Sequence, residues 1–248
     1  MTMQIEQVVI LAGGKGLRLH ELTYETPKAL APIADRPIIW HIMRHYAAYG
    51  LRRFVVCVGA HGQRIAEYFA RSSDEWEVEI SDAGTEATKS ERIAAALPMV
   101  RGDQFMLTYG DDLSDVDPRR VEKLALDSRS TVTLTAVRPR SPFGVLDLSP
   151  DGKISAFTEK RPMPQWINGG YMVVHKQVED FLHLGEFEQE VFGGLIAVDK
   201  LHAWRHTGFW QAMNTYKDYV ELNRLAARGL WPVAHSDRCD SGAVGTGT

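Results

Sequence analysis

The sequence predicts an α/β fold: a three-layer sandwich on a mostly parallel mixed sheet, with a small strand-rich part. Three observations predict it. Short apolar runs alternate with stretches of helical period through the first half, a glycine-rich turn follows the first run, and the pattern becomes strand-rich after Val137. Gln4–Leu11 reads as a buried strand, and Ala12–Gly16 turns the chain. Pro37–Tyr49 carries Ile38, Ile42, Met43, Tyr46 and Tyr49 at helical spacing, with proline near its start and Gly50 past its end. Arg53–Val58 is a strand, Gly62–Phe69 a helix, Glu77–Ser81 an alternating strand, and Ser90–Leu97 a helix. Phe105–Tyr109 is a fourth strand, ending at the acidic cluster Asp111, Asp112, Asp115 and Asp117. Such alternation requires right-handed crossovers, so the turns after Leu11, Val58, Ser81 and Tyr109 face one crevice at the strands' carboxyl ends. Thr131–Val137, Gly144–Leu148, Ile154–Glu159 and Gly170–His175 read as further strands. A helix near Glu186–Ala197, a strand near Leu201–Arg205 and a helix across Thr215–Arg228 complete the fold. Residues 1–235 form one domain whose halves meet near residue 130, and 236–248 is expected to be a flexible tail.

Composition limits the function. The 248 residues are 44% hydrophobic and 24% charged, ordinary for a globular chain with a sizeable core. Lys+Arg number 28 against 32 Asp+Glu, a net charge of −4, which argues against a nucleic-acid partner or a polyanionic membrane surface. The early apolar run Val8–Ala12 is far short of the roughly 20 residues a spanning helix needs, and no secretory signal precedes it. Two cysteines, Cys57 and Cys239, make no disulfide framework, so a cytoplasmic location is expected. The nine histidines show no zinc spacing, and His41 and His45, one helical turn apart, read as helix-surface residues. Trp40, Phe209 and Trp210 read as core or pocket-wall aromatics.

The strongest local signal is Leu11-Ala-Gly-Gly-Lys-Gly-Leu-Arg-Leu19 directly after a strand. Its glycines let backbone N–H groups approach polyphosphate oxygens, and Lys15 and Arg18 add positive charge. No Gly-Lys-[Ser/Thr] closes it as a P-loop, and Leu19 stands where a dinucleotide fingerprint needs its third glycine. A second basic element follows at Thr26-Pro27-Lys28. Asp115 and Asp117 read as caps of a helix from Pro118 or as solvated loop residues.

With Pro27-Lys28, the glycine loop resembles the signature of the sugar-1-phosphate nucleotidylyltransferases. Further blocks resemble the glucose-1-phosphate cytidylyltransferase branch: Pro37–Met43, Thr108-Tyr-Gly-Asp111 with Ser114–Asp117, Phe143-Gly-Val-Leu-Asp147, Phe157-Thr-Glu-Lys160, Ile167-Asn-Gly-Gly170, Glu188-Gln-Glu190 and Gly208–Met213. They run in the family's order over most of the chain. The resemblance implies a Rossmann-like fold with a nucleotide-binding half near 1–130 and a sugar-phosphate-binding half near 131–235. It implies in-line transfer of a nucleoside monophosphate from a triphosphate, CTP first, to a sugar-1-phosphate or sugar-like phosphate, with release of pyrophosphate and assistance from Mg2+. Arg18, Lys28 and Asp111 would be catalytic. Leu11, Ala12, Gly13, Gly14, Lys15, Gly16, Gly84, Arg92 and Gly110 would bind the nucleotide. Phe143, Gly144, Glu159, Lys160, Asn168, Gly169 and Trp210 would bind the sugar phosphate. Asp111 and Asn214 would hold the metal, with Asp112 a further candidate.

Three departures from the family bear on these roles. Met213-Asn-Thr215 stands where the family has Met-Asp-Thr, so Asn214 offers a neutral oxygen and weaker magnesium binding is expected. Ser90 and Glu91 replace two glycines beside Arg92, making close backbone approach to a ligand harder or simply starting a helix. The link Ala70–Ser81 lacks an insertion tied to oligomer contacts, which argues against a hexamer and leaves smaller homo-oligomers open. A second reading is a catalytically impaired nucleotide- or nucleotide-sugar-binding regulatory homologue, with Asn214 as its support. The nucleobase and the phosphorylated acceptor stay open.

Overall fold

The structure is a computed structural model describing residues 3–14 and 26–229. The expectations on Lys15, Gly16, Arg18 and the tail 236–248 therefore lie outside the described residues. In chain order the strands are β1 Gln7–Leu11, β2 Pro32–Ile33, β3 Arg36–Pro37, β4 Arg53–Val58, β5 Glu77–Asp82, β6 Gln104–Tyr109 and β7 Asp112–Ser114. There follow β8 Val132–Val137, β9 Val145–Leu148, β10 Ile154–Thr158, β11 Ile167–Asn168, β12 Met172–His175, β13 Leu201–Arg205 and β14 Trp210–Ala212. The helices are α1 Ile38–Ala47, α2 Gly62–Ala70, α3 Lys89–Ala96, α4 Pro118–Ser128, α5 Glu179–Leu182, α6 Phe192–Ala197 and α7 Tyr216–Ala227.

Eight strands form one sheet in the order β5-β4-β1-β6-β12-β8-β13, with β11 beside the far end of β8. β4, β1 and β6 pair in parallel, as do β4 with β5 and β8 with β13; β12 runs against both β6 and β8. One reversed segment, β11 and β12, thus interrupts an otherwise parallel sheet, which is the mixed α/β sandwich expected.

Period-two alternation explains the three layers. Val8 and Ile10 of β1, with Phe54 and Val56 of β4, enter one core with Ile38, Ile42 and Tyr46 of α1, Val121 of α4 and Leu222 of α7. Val9, Leu11, Val55 and Cys57 enter the opposite core with Ile93 of α3 and Leu195 of α6. Both faces of each central strand are therefore apolar, which makes their sequences continuous runs.

Local chemistry sets the boundaries. β1 begins at Gln7, later than the sequence pattern proposes, because the Gln4 and Ile5 N–H groups donate to the buried Glu122 carboxylate at 2.7 and 2.8 Å. Thr88 and Glu91 form a capping box at the start of α3, so Ser90 and Glu91 do lie in the first turn of a helix. Asp117 caps α4 by accepting from Arg119 N–H at 3.0 Å. The stretch from Glu186 divides into a π turn, Phe187–Val191, and α6. The surface assignment of the α1 histidines does not hold. His45 is buried and bonds through Nε2 to the Val116 carbonyl at 2.8 Å, while half-buried His41 reaches the Ile33 carbonyl at 2.9 Å.

β9 and β10 make a separate two-stranded ribbon. Its residues Leu146, Leu148, Ile154 and Phe157 are all exposed. Among the described residues no helix is long and apolar enough to cross a membrane.

Candidate active site

The carboxyl ends of β1 and β6, the turn before α3 and the segment around β11 surround a cavity of about 820 Å³. The turns after Leu11, Ser81 and Tyr109 contribute Gly13 and Gly14, Thr85 to Lys89, and Gly110 to Asp112. The fourth expected turn, after Val58, meets them through Arg92. That guanidinium is buried, donating to the Val58 carbonyl and, at 3.1 Å, to the Thr85 carbonyl. It lies so close to two backbones that a Cβ on Gly13 or Gly59 would approach it to 2.5 or 2.6 Å. A side chain at Gly13 would displace the guanidinium, and one at Gly59 would also meet the Gly13 carbonyl at 2.8 Å, so Arg92 fits only because both are glycine. The Ala12 N–H donates to the Cys57 carbonyl at 2.9 Å and the Gly110 N–H to the Leu11 carbonyl at 3.0 Å, fixing the loop's origin.

One end of the cavity is a cation between two oxygen donors. Lys28, on the single turn Lys28–Leu30, places its ammonium on Asp111 Oδ2 and 3.2 Å from Asn214 Oδ1. Asp111 lies between β6 and β7, and Asn214 just before α7, whose Asp218 carboxylate holds the Asn214 N–H at 3.0 Å. Among the described residues, no three His, Cys, Asp or Glu side chains are grouped to hold a metal. Two side-chain oxygens beside a phosphate-sized space do fit Mg2+, which commonly binds one or two carboxylates together with substrate phosphates.

The other end is a hydrogen-bonded polar wall. Tyr109 OH donates to Glu188 Oε1 at 2.7 Å and accepts from Asn168 Nδ2 at 2.9 Å. Lys89, the first residue of α3, pairs with the same Glu188 oxygen, and its ammonium lies 5.0 Å from the Tyr109 ring centre. Burial, then the neighbouring Glu188 charge, hold the Tyr109 hydroxyl protonated far above its ordinary range. Trp210 covers this end, donating through Nε1 to the Gly169 carbonyl at 2.9 Å. Asp112 is only 6% exposed; burial first, then Asp111, raise its carboxyl well above the usual range, against the pull of Lys28 and Lys89.

Of the residues singled out from sequence, Leu11, Ala12, Gly13, Gly14, Lys28, Arg92, Gly110, Asp111, Asp112, Asn168, Trp210 and Asn214 line this cavity. Gly84, Phe143, Gly144, Glu159, Lys160 and Gly169 do not. Gly84 makes a turn closed by Asp82, and Gly169 lies behind Trp210. Phe143 is 75% exposed and Phe157 rests over Gly144. Glu159 and Lys160 follow the ribbon strand β10, both exposed, with Lys160 in the left-handed region at φ 52°. Sequence reasoning gave no role to Lys89, Tyr109 or Glu188. The signal present was modest: a tyrosine closing a buried strand, and a lysine where a helix begins.

Comparison with known proteins gives a consistent answer. The family profile described as "Nucleotidyl transferase" matches residues 7–224. The Bacillus subtilis protein named probable glucose-1-phosphate cytidylyltransferase is 32% identical over 92% of this chain and 99% of its own. The glucose-1-phosphate cytidylyltransferase of Salmonella typhi is 33% identical over 91% of this chain and 98% of its own. Among solved structures, HddC from Yersinia pseudotuberculosis complexed with GMP-PN superimposes with a TM-score of 0.70 at 20% identity, covering 89% of this chain and 99% of that one, a likeness of fold.

Proposed function

Since the chain belongs to the nucleotidyl transferase family, we propose that it transfers a nucleoside monophosphate from a triphosphate to a sugar-1-phosphate or sugar-like phosphate. CTP is the first-choice donor, from the cytidylyltransferase relatives. A phosphate oxygen of the acceptor forms a bond to the α-phosphorus while the bond from that phosphorus to the bridging oxygen breaks. Pyrophosphate leaves with the electron pair, and a diphosphate-linked nucleotide sugar remains. No covalent enzyme intermediate is needed, so the protein's work is positioning and charge neutralisation.

The observation that carries this reading is the meeting of Lys28, Asp111 and Asn214 beside the Gly13-Gly14 backbone at one end of one cavity. The glycine backbone cradles the triphosphate. Lys28 leaves Asp111 for the α-phosphate, a compact charge suited to a phosphoryl group in transit. Asp111 and Asn214 would hold Mg2+, which supplies positive charge against the phosphate oxygens when bound. Asn168 and Trp210 orient the acceptor, and Glu159 and Lys160 on the ribbon reach it from outside the cavity wall. The test is pyrophosphate release from four triphosphates against a panel of hexose 1-phosphates. Release only with both substrates and a divalent cation supports the proposal; none with any pair rejects it.

Asn214 favours a second reading, a regulatory homologue that binds nucleotide without turnover, because a neutral amide holds a cation less firmly than a carboxylate. Tight triphosphate binding with no pyrophosphate, acceptor and magnesium present, would select it.

A further inference from the structure

We propose that Asp112 selects the acceptor, accepting a hydrogen bond from a hydroxyl or ammonium group that the phosphorylated substrate carries away from its phosphate. The proposal rests on the nucleotidyl-transfer reading and extends it to a residue with no place in the reaction described above.

Asp112 lines the cavity yet is nine-tenths buried. Its backbone carbonyl accepts from Tyr171 OH at 3.0 Å, but its carboxylate has no hydrogen-bond donor among the described residues. A carboxyl on a cavity wall that no protein group bonds is open to a polar group of a ligand. The direction of the side chain says what that is. Asp111 turns to Lys28 and Asn214, the phosphate end. Asp112, the first residue of β7, lies against Gly170: a Cβ there would sit 3.6 Å from Asp112 Oδ2 and 3.0 Å from the Tyr109 ring. Asp111 in the turn and Asp112 at the start of the strand thus face different parts of the cavity. At the Tyr109 end, Asn168, Tyr109, Glu188 and Lys89 are already bonded to one another. The Asp112 carboxyl accepts from none of them and is open to a donor. A polyhydroxylated or aminated ring whose phosphate lies at Lys28 presents one.

The experiment compares wild type with Asp112→Asn and Asp112→Gly. Binding of a hexose 1-phosphate, of its 2-amino-2-deoxy analogue, of a nucleoside triphosphate and of Mn2+ alone is measured by calorimetry and, for the metal, by electron paramagnetic resonance. Both variants should bind the preferred acceptor about tenfold to a hundredfold more weakly, as expected for losing a hydrogen bond to a charged group. Triphosphate and Mn2+ affinities should stay at the wild-type level, and Tm should stay near that of wild type. A larger loss for the amino sugar identifies an ammonium; equal losses identify a hydroxyl. Unchanged acceptor affinity overturns the proposal, and so does a parallel fall in Mn2+ affinity, which would make Asp112 a carboxylate of the cation. Wild type that binds sugar phosphates through Asp112 but releases no pyrophosphate would sink the catalytic reading and keep this subsite. Wild type that binds no sugar phosphate overturns it.

Discussion

The cavity end at β1 and β6 and the β9–β10 ribbon both carry residues that the family resemblance assigns to the site, yet they are built in opposite ways. At the first, Val8, Val9 and Ile10 are fully buried, and the loop beyond them is pinned to Cys57 and Gly110. Lys28 and Asp111 are thus held by a packed scaffold. On the ribbon, Leu148 and Ile154 are exposed by 61% and 56%, and Glu159 and Lys160 stand outside the cavity. The difference teaches that a strand in a two-faced sheet fixes the side chain at its end, whereas an exposed two-stranded ribbon gives its residues no such packed support.

The largest effect should fall on the packed end. Lys28→Ala is expected to lower kcat/KM by about 10²- to 10³-fold, the range for losing one preorganised charge at the reacting group. Steady-state assays with saturating acceptor check it, and a loss of only a few fold would put the reacting phosphate elsewhere.

Stability should divide along the same line. Ile10→Ala is expected to cost about 2–5 kcal/mol, and Ile154→Ala on the ribbon less than about 0.5 kcal/mol. Urea denaturation of both variants measures it; equal losses would mean that the ribbon is packed against something in solution.

The packed region carries a pH response of its own. Burial holds His45 down to about 4, below the ordinary histidine value of 6.5. The unfolded chain therefore binds the extra proton first, and stability present above about pH 6.5 is lost as pH falls toward 4, by up to about 3 kcal/mol. His45→Gln should flatten the wild-type decline in urea midpoint between pH 7 and 4.5. An identical decline in the variant would assign it to other groups.

Lys160→Ala tests the ribbon directly. It should raise the acceptor KM by about tenfold, the loss of one charge-assisted contact, with the triphosphate KM and Tm unchanged. The smallest effect expected is that of Asn214→Asp, which should lower the magnesium concentration for half-maximal activity severalfold by adding a carboxylate to the site. Magnesium titration of the two proteins decides it.

The packed region was also the legible one. β4 and β13 fall where their apolar runs place them, and α3 starts where Thr88 can cap it. Glu122 could not be foreseen as the acceptor that shortens β1, because it lies 118 residues from Gln4. Nor could the buried His45, whose carbonyl partner is on a distant loop. β7 and β14 are three residues each, too short for periodicity, though their pairing brings Ala212 opposite Asp112 and so Asn214 near Asp111. The Tyr109–Glu188 contact joins residues 79 apart. What pattern could show was which strand ends carry chemistry; which side chains meet across them depends on tertiary packing.

Nucleotidyl transfer at this cavity requires a triphosphate lying where Lys28 now meets Asp111. A crystal structure with a bound nucleotide sugar tests it most directly. The expected result is a diphosphate against the Gly13-Gly14 backbone, Lys28 swung from Asp111 onto it, and the sugar ring between Tyr109 and Trp210. A diphosphate bound away from Lys28 and Asp111 would contradict it.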